Sequence, residues 1–115
     1  MVLIVDDDPD VRDMMDAVLT NAGYTVETAT NGDEALKLLR SIRPELILLD
    51  IKMPTMDGAE FRQAQRREPE LLRIPTVVMT AAPVEALLDL AVKETLRKPV
   101  GKAELLATVR RHCAR

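Results

Sequence analysis

Five polar residues stand where short apolar runs end. Asp6 and Asp7 follow Leu3-Ile4-Val5, Asp50 follows Leu46-Ile47-Leu48-Leu49, Thr80 closes the run from Thr76, and Lys98 comes just after Thr95 and Leu96. Three carboxylates brought together repel one another unless a cation sits among them. An all-oxygen ligand set to which the protein contributes only a few donors suits Mg2+ (or Mn2+), which keeps waters and accepts a substrate phosphate. The bound charge also offsets repulsion of an incoming phosphoryl group. In such a setting Asp50 is the expected nucleophile, in-line attack by its carboxylate giving an acyl phosphate. Lys98 then supplies a point charge for the phosphoryl oxygens and the Thr80 hydroxyl a hydrogen bond.

Taken singly, each of these residues has a plainer reading. A lysine before a proline is ordinarily a surface residue, and a threonine ending a strand is a good strand former. The run Asp6-Asp7-Asp8 is what a helix amino terminus favours through its dipole. The joint placement at four strand ends sets the chemical reading apart.

The elements that must hold these residues are legible in the alternation of short apolar runs with segments of helical period, which predicts a parallel sheet covered by helices on both faces. The expected fold is α/β, a flavodoxin-like (βα)5 sandwich with a parallel five-stranded sheet in strand order 2-1-3-4-5. In that fold ligands bind beyond the carboxyl ends of the strands, at the switch point between strands one and three. The first strand covers Leu3 to Val5, and Asp8 caps a helix with Pro9 at its first position. Val11, Met14, Met15, Val18 and Leu19 form that helix's apolar stripe, which Gly23 ends. Thr25 to Ala29 is the second strand, followed by a capping box of Asn31 and Glu34 and a stripe of Ala35, Leu38, Leu39 and Ile42. Pro44 closes that helix, and Leu46 to Leu49 reads as a central strand. A helix starts near Asp57-Gly58 with Phe61 and Ala64 inward. Pro75 introduces a fourth strand, Thr76 to Thr80, and Val84, Leu87, Leu88 and Ala91 mark a short fourth helix. The fifth strand lies around Thr95 and Leu96, and Leu105, Leu106 and Val109 give the last helix stripe.

The chain's 115 residues fit one domain with one core. No apolar run approaches the roughly 20 residues of a membrane span, and the start, Met1 to Asp6, reads as a strand rather than a signal peptide. A cytoplasmic location is the default expectation, with no membrane partner. The net charge of -3 lacks the basic footprint of a nucleic-acid binder, so Arg66-Arg67 and Arg110-Arg111 read as solvated helix faces. Cys113 and His112 are each alone, which leaves a zinc-type site nothing to build on. Cys113 reads as a small packing residue, and the six methionines as core filling.

In order along the chain, Leu3-Ile4-Val5-Asp6-Asp7-Asp8, Leu48-Leu49-Asp50-Ile51-Lys52-Met53-Pro54, Met56-Asp57-Gly58, Val78-Met79-Thr80-Ala81 and Lys98-Pro99 resemble the receiver domain of bacterial two-component response regulators, of the single-domain chemotaxis-regulator kind. The resemblance covers residues 1–115 as one domain. It implies that Asp50 takes a phosphoryl group from the phosphohistidine of a sensor histidine kinase or a histidine phosphotransfer protein, catalysing its own transfer and loss without turning over a separate substrate. It implies that Asp7, Asp50 and the Lys52 backbone carbonyl bind Mg2+ directly, with Asp6 acting mainly through water. Thr80 and Lys98 would hold the phosphoryl group, and the Lys98–Pro99 peptide would be cis. Phosphorylation would draw Thr80 inward and repack the face of the fourth helix, fifth strand and fifth helix, which a downstream protein reads. That output comes from docking a separate protein or from further parts of a longer chain.

The sequence departs from the family pattern in places. Thr95 occupies the position, three residues before the lysine, where an aromatic switch residue is usual, so switching is expected to rely on backbone and helix shifts. The stretch from Thr80 to Lys98 is short around the fourth helix, and Val92-Lys93 replaces a Gly-Ala pair. Lys52 and Ala82, each two residues beyond a site residue, border the path of an attacking water and are expected to bear on phosphoryl lifetime. A haloacid-dehalogenase-type phosphatase would want an acid/base Asp where Lys52 stands, and a flavin-binding domain would want a phosphate loop where Asp6-Asp7-Asp8 would repel the ligand. The remaining alternative is a degenerate receiver acting as a phosphorylation-independent interaction module. Such modules tend to lose the acidic pair or the lysine, both present here.

Overall fold

Strand β1 (Val2–Val5) is buried at every position, as its unbroken apolar sequence requires of a strand covered on both faces. The computed structural model describes residues 1–51, 58–80 and 94–113. Within them β1 pairs in parallel with β2 (Val26–Ala29) on one side and β3 (Leu46–Asp50) on the other, and β4 (Thr76–Thr80) and β5 (Glu94–Arg97) extend the sheet. The order β2-β1-β3-β4-β5 is the one expected, and β1 and β3 stand side by side with Val5 opposite Leu49.

Side chains alternate across the strands and divide the core in two. On one face Leu3, Val5, Ile47, Leu49 and Val78 pack with Ala35 of helix α2 (Gly32–Leu38), with Leu39 just past its end, and with Phe61 of α3 (Gly58–Arg66). On the other, Val2, Ile4, Leu46, Leu48, Val77 and Met79 pack with Met15 and Leu19 of α1 (Pro9–Asn21) and with Leu105 and Val109 of α5 (Lys102–His112).

The start of α1 is as the sequence implies. Asp8 caps it, its carboxylate accepting from the amides of Asp10 at 2.9 Å and Val11 at 3.4 Å, and Pro9 follows in the first turn. Gly23 ends the segment with φ at 95°, a conformation that side chains with a Cβ resist. Met14 is a correction. It is 40% exposed, because a rotation of about 100° per residue carries it away from the stripe centred on Met15. At α2, Asn31 accepts from the Glu34 amide at 2.9 Å. The returning carboxylate reaches Thr30, amide and hydroxyl, instead of the cap residue itself.

A short helix, α4 (Pro69–Leu72), was not expected from periodicity. It is one turn, too short to show a period, and it is held by a buried polar network. The Gln65 amide nitrogen donates to the carbonyls of Leu71 at 2.9 Å and Ile74 at 3.4 Å and to Thr76 Oγ1 at 3.0 Å, while Gln65 Oε1 accepts from Arg62 at 2.8 Å. Gln65 is fully buried, so Gln65→Leu strands these groups away from water. A loss of about 2 kcal/mol in urea unfolding is expected. The helix expected around Val84 to Ala91 lies outside the described residues.

Cys113 packs as a small apolar residue in the α1/α5 half of the core. Burial pushes its thiol above the ordinary range and Glu45 adds to the effect, against a partial opposition from the terminal ammonium. The folded state therefore keeps a proton that the unfolded chain releases above about pH 8.5, and stability falls as pH rises through that window. Between about pH 7 and about pH 9.5 the wild type is expected to lose more stability than Cys113→Ala in matched urea titrations.

Candidate functional site

All the chemistry-bearing strand ends meet at the carboxyl edge of the sheet. Asp6 directly follows β1 and is fully buried, Asp50 is the last residue of β3 and 5% exposed, and Thr80 is the last residue of β4 and 3% exposed. Lys98 comes immediately after β5, its amide donating to the Thr80 carbonyl at 3.0 Å, so the β4–β5 ladder fixes the lysine beside the threonine.

Carboxylate oxygens of Asp6, Asp7 and Asp50 lie within 4.8 Å of one another. The Lys98 ammonium bridges two of them, with Nζ 3.0 Å from Asp6 Oδ2 and 3.3 Å from Asp50 Oδ2. Partial burial alone would lower the lysine's pKa. The hydrogen bond and charge of Asp6, joined by those of Asp50, outweigh it and hold Lys98 above the ordinary lysine range. It is a full cation at neutral pH. The second Asp6 oxygen accepts from the Asp8 amide at 2.9 Å, so both oxygens of this buried carboxylate are engaged while Asp7 stays exposed. An all-carboxylate donor set converging in this way fits a hard divalent cation.

The Lys98–Pro99 peptide is cis. Thr95 lies in β5 opposite Val78 and is half-buried. Lys52 with its carbonyl, and Ala82, lie outside the described residues. Two contributors were not anticipated. The Asp8 amide holds Asp6 through a local turn, and Arg12 Nη1 donates to the Asp6 carbonyl at 2.9 Å. The available signal was spacing. Arg12 sits one turn beyond the Asp8 cap, where a long side chain can reach back to the strand end.

The sequence profile of the response regulator receiver domain matches residues 2–110 of the chain. The chain belongs to the response regulator receiver family. The receiver is 40% identical to the response regulator MprA of Mycobacterium ulcerans over 113 residues, covering 95% of this chain and 48% of that protein. It thus spans about half the length of that relative. Among solved structures it resembles the chemotaxis response regulator CheY4 of Vibrio cholerae, with a TM-score of 0.89, 34% identity and 97% of each chain covered. It also resembles the receiver domain of the sensor histidine kinase PA1611 from Pseudomonas aeruginosa PAO1, with a TM-score of 0.88, 27% identity, and 96% of this chain and 94% of that one covered. That structure has a magnesium ion coordinated in its active site cleft. Membership in the family accounts for the flavodoxin-like strand order and places this receiver in two-component signalling. Among its described residues no helix is long and apolar enough to cross a membrane.

Proposed function

We propose that residues 1–115 form a phosphorylation-activated receiver in which Asp50 accepts a phosphoryl group from the phosphohistidine of a sensor histidine kinase or histidine phosphotransfer protein. The convergence of the Asp6, Asp7 and Asp50 carboxylates, within 4.8 Å and faced by the Lys98 ammonium, carries this reading. Asp7 and Asp50, with the Lys52 carbonyl, would hold Mg2+ or Mn2+, and Asp6, whose oxygens are already engaged, would act through water. When bound, the cation neutralises the cluster and the charge of the arriving phosphoryl group.

An Asp50 carboxylate oxygen attacks phosphorus as the bond to the donor nitrogen breaks, and the departing imidazole takes up a proton. Lys98, already 3.3 Å from Asp50, then has phosphoryl oxygens to pair with. Thr80 at the neighbouring strand end offers its hydroxyl to the same group. A changed balance of partners at Thr80 and Lys98 pulls on β4 and β5, and through them on an output face that includes β5 and α5. Thr95, small where an aromatic is usual, leaves that shift to the backbone. Lys52 and Ala82 would set phosphoryl lifetime by bordering the path of water. The domain works in the cytoplasm, turns over no separate substrate, and signals by docking a protein partner rather than nucleic acid or membrane.

The test is intact-mass spectrometry after incubation with acetyl phosphate. One phosphoryl group is expected in Mg2+ and none in EDTA. A protein that stays unmodified in Mg2+ would instead be a phosphorylation-independent interaction module.

A further inference from the structure

Arg12 stands outside the set of residues assigned above, yet it makes a specific contact with that site. Its Nη1 donates to the backbone carbonyl of Asp6 at 2.9 Å, across the junction between β1 and α1. That carbonyl belongs to the peptide joining Asp6 to Asp7. It sits just beyond the last paired residue of β1, on a residue whose own amide donates to the Ala29 carbonyl of β2 at 3.1 Å. The same peptide plane therefore sets the direction in which both carboxylates leave the chain.

The two carboxylates are held unequally. Asp6 is fixed by the Asp8 amide at 2.9 Å and by Lys98 at 3.0 Å. Asp7 is exposed, and the fixed points next to it are the Asp6–Asp7 peptide on one side and the capped start of α1 on the other. Arg12 itself is anchored in α1, its amide donating to the Asp8 carbonyl at 3.0 Å. The guanidinium thus ties the first turn of the helix to the end of the strand, with the acidic pair between them.

We infer that Arg12 is a positioning residue for divalent-metal binding, orienting the Asp6–Asp7 carboxylate pair by fixing the peptide between them. The inference rests on the metal-binding reading of the acidic cluster. Two physical effects of Arg12 have opposite signs, which makes it decidable. As a cation near the cluster, Arg12 disfavours another cation, so removing its charge alone would tighten Mg2+ binding. As a clamp it preorganises the ligands, and groups that orient metal ligands lower affinity by roughly tenfold or more when lost. The guanidinium is partly exposed to water, which screens the charge effect and leaves the clamp dominant.

The experiment is Mg2+ titration by calorimetry on wild type, Arg12→Met, Arg12→Lys and Gln65→Leu, with thermal melts in EDTA for each. Arg12→Met is expected to raise the Mg2+ Kd roughly tenfold. Arg12→Lys, which keeps a charged donor on a long stem, is expected to recover part of that loss. Gln65→Leu lowers stability away from the site and is expected to bind Mg2+ as wild type does, which separates positioning from general loosening. An Arg12→Met protein that binds Mg2+ as tightly as wild type, or more tightly, overturns the inference while leaving the receiver reading intact. A wild type that binds no Mg2+ overturns both.

Discussion

Replacing Lys98 with methionine is expected to destabilise the metal-free protein by about 2–3 kcal/mol, a fall of about 10 °C or more in Tm. Methionine keeps the unbranched stem and removes only the ammonium. That ammonium is the cation that the structure places between Asp6 and Asp50, at 3.0 and 3.3 Å. Asp6 is fully buried and Asp50 nearly so, so the variant leaves two carboxylates out of water with a third close by. Breaking a fully buried pair costs about 3–5 kcal/mol, and the partial exposure of the lysine head reduces that figure. Mg2+ should restore much of the loss, because a cation at a hundred times its Kd adds about 2.7 kcal/mol and in the variant it meets no competing ammonium. The Tm gain on adding Mg2+ is therefore larger in Lys98→Met than in wild type. An equal deficit in EDTA and in Mg2+ would mean that Lys98 stabilises the fold by packing alone. In Mg2+ the variant is also expected to be phosphorylated more slowly by acetyl phosphate, by about 10²-fold, the usual cost of removing one donor to developing charge.

Asp50→Asn is expected to abolish phosphoryl incorporation outright. A carboxamide has the shape of the carboxylate but is too weak a nucleophile for the phosphorus. Its effect on the fold has the opposite character. The lysine keeps Asp6 as a partner at 3.0 Å, and one of three mutually repelling charges disappears, so metal-free stability should stay within about 1 kcal/mol of wild type. A large loss of phosphorylation with little loss of stability is the signature of a residue retained for chemistry. Incorporation persisting in Asp50→Asn would move the acceptor to another side chain.

The site was more legible in the sequence than its supports were. Asp6, Asp50 and Thr80 end or directly follow strands whose apolar runs are unmistakable, and the parallel order then brings those ends together. The Asp8 cap and Gly23 stop were readable because capping chemistry is local. Gln65 was not readable. Its role depends on carbonyls six and nine residues on and a hydroxyl on β4, and a glutamine in a polar helix gives no sign of being buried. Arg12 escaped for a related reason. Its partner is a backbone carbonyl, which every residue possesses, so no residue type marks the contact in advance. Met14 shows the opposite error, since it keeps helical spacing with Val11 and Val18 but lies at the edge of a stripe whose buried centre is Met15 and Leu19.

The most direct test of the central claim is to locate the phosphoryl group. Protein treated with acetyl phosphate in Mg2+ is reduced with borohydride, which converts an aspartyl phosphate to homoserine, and the chain is then sequenced by tandem mass spectrometry. Homoserine at position 50 alone, lost when EDTA replaces Mg2+, is the expected result. Homoserine at position 6 or 7, or an unmodified Asp50 in protein that binds Mg2+, would contradict it.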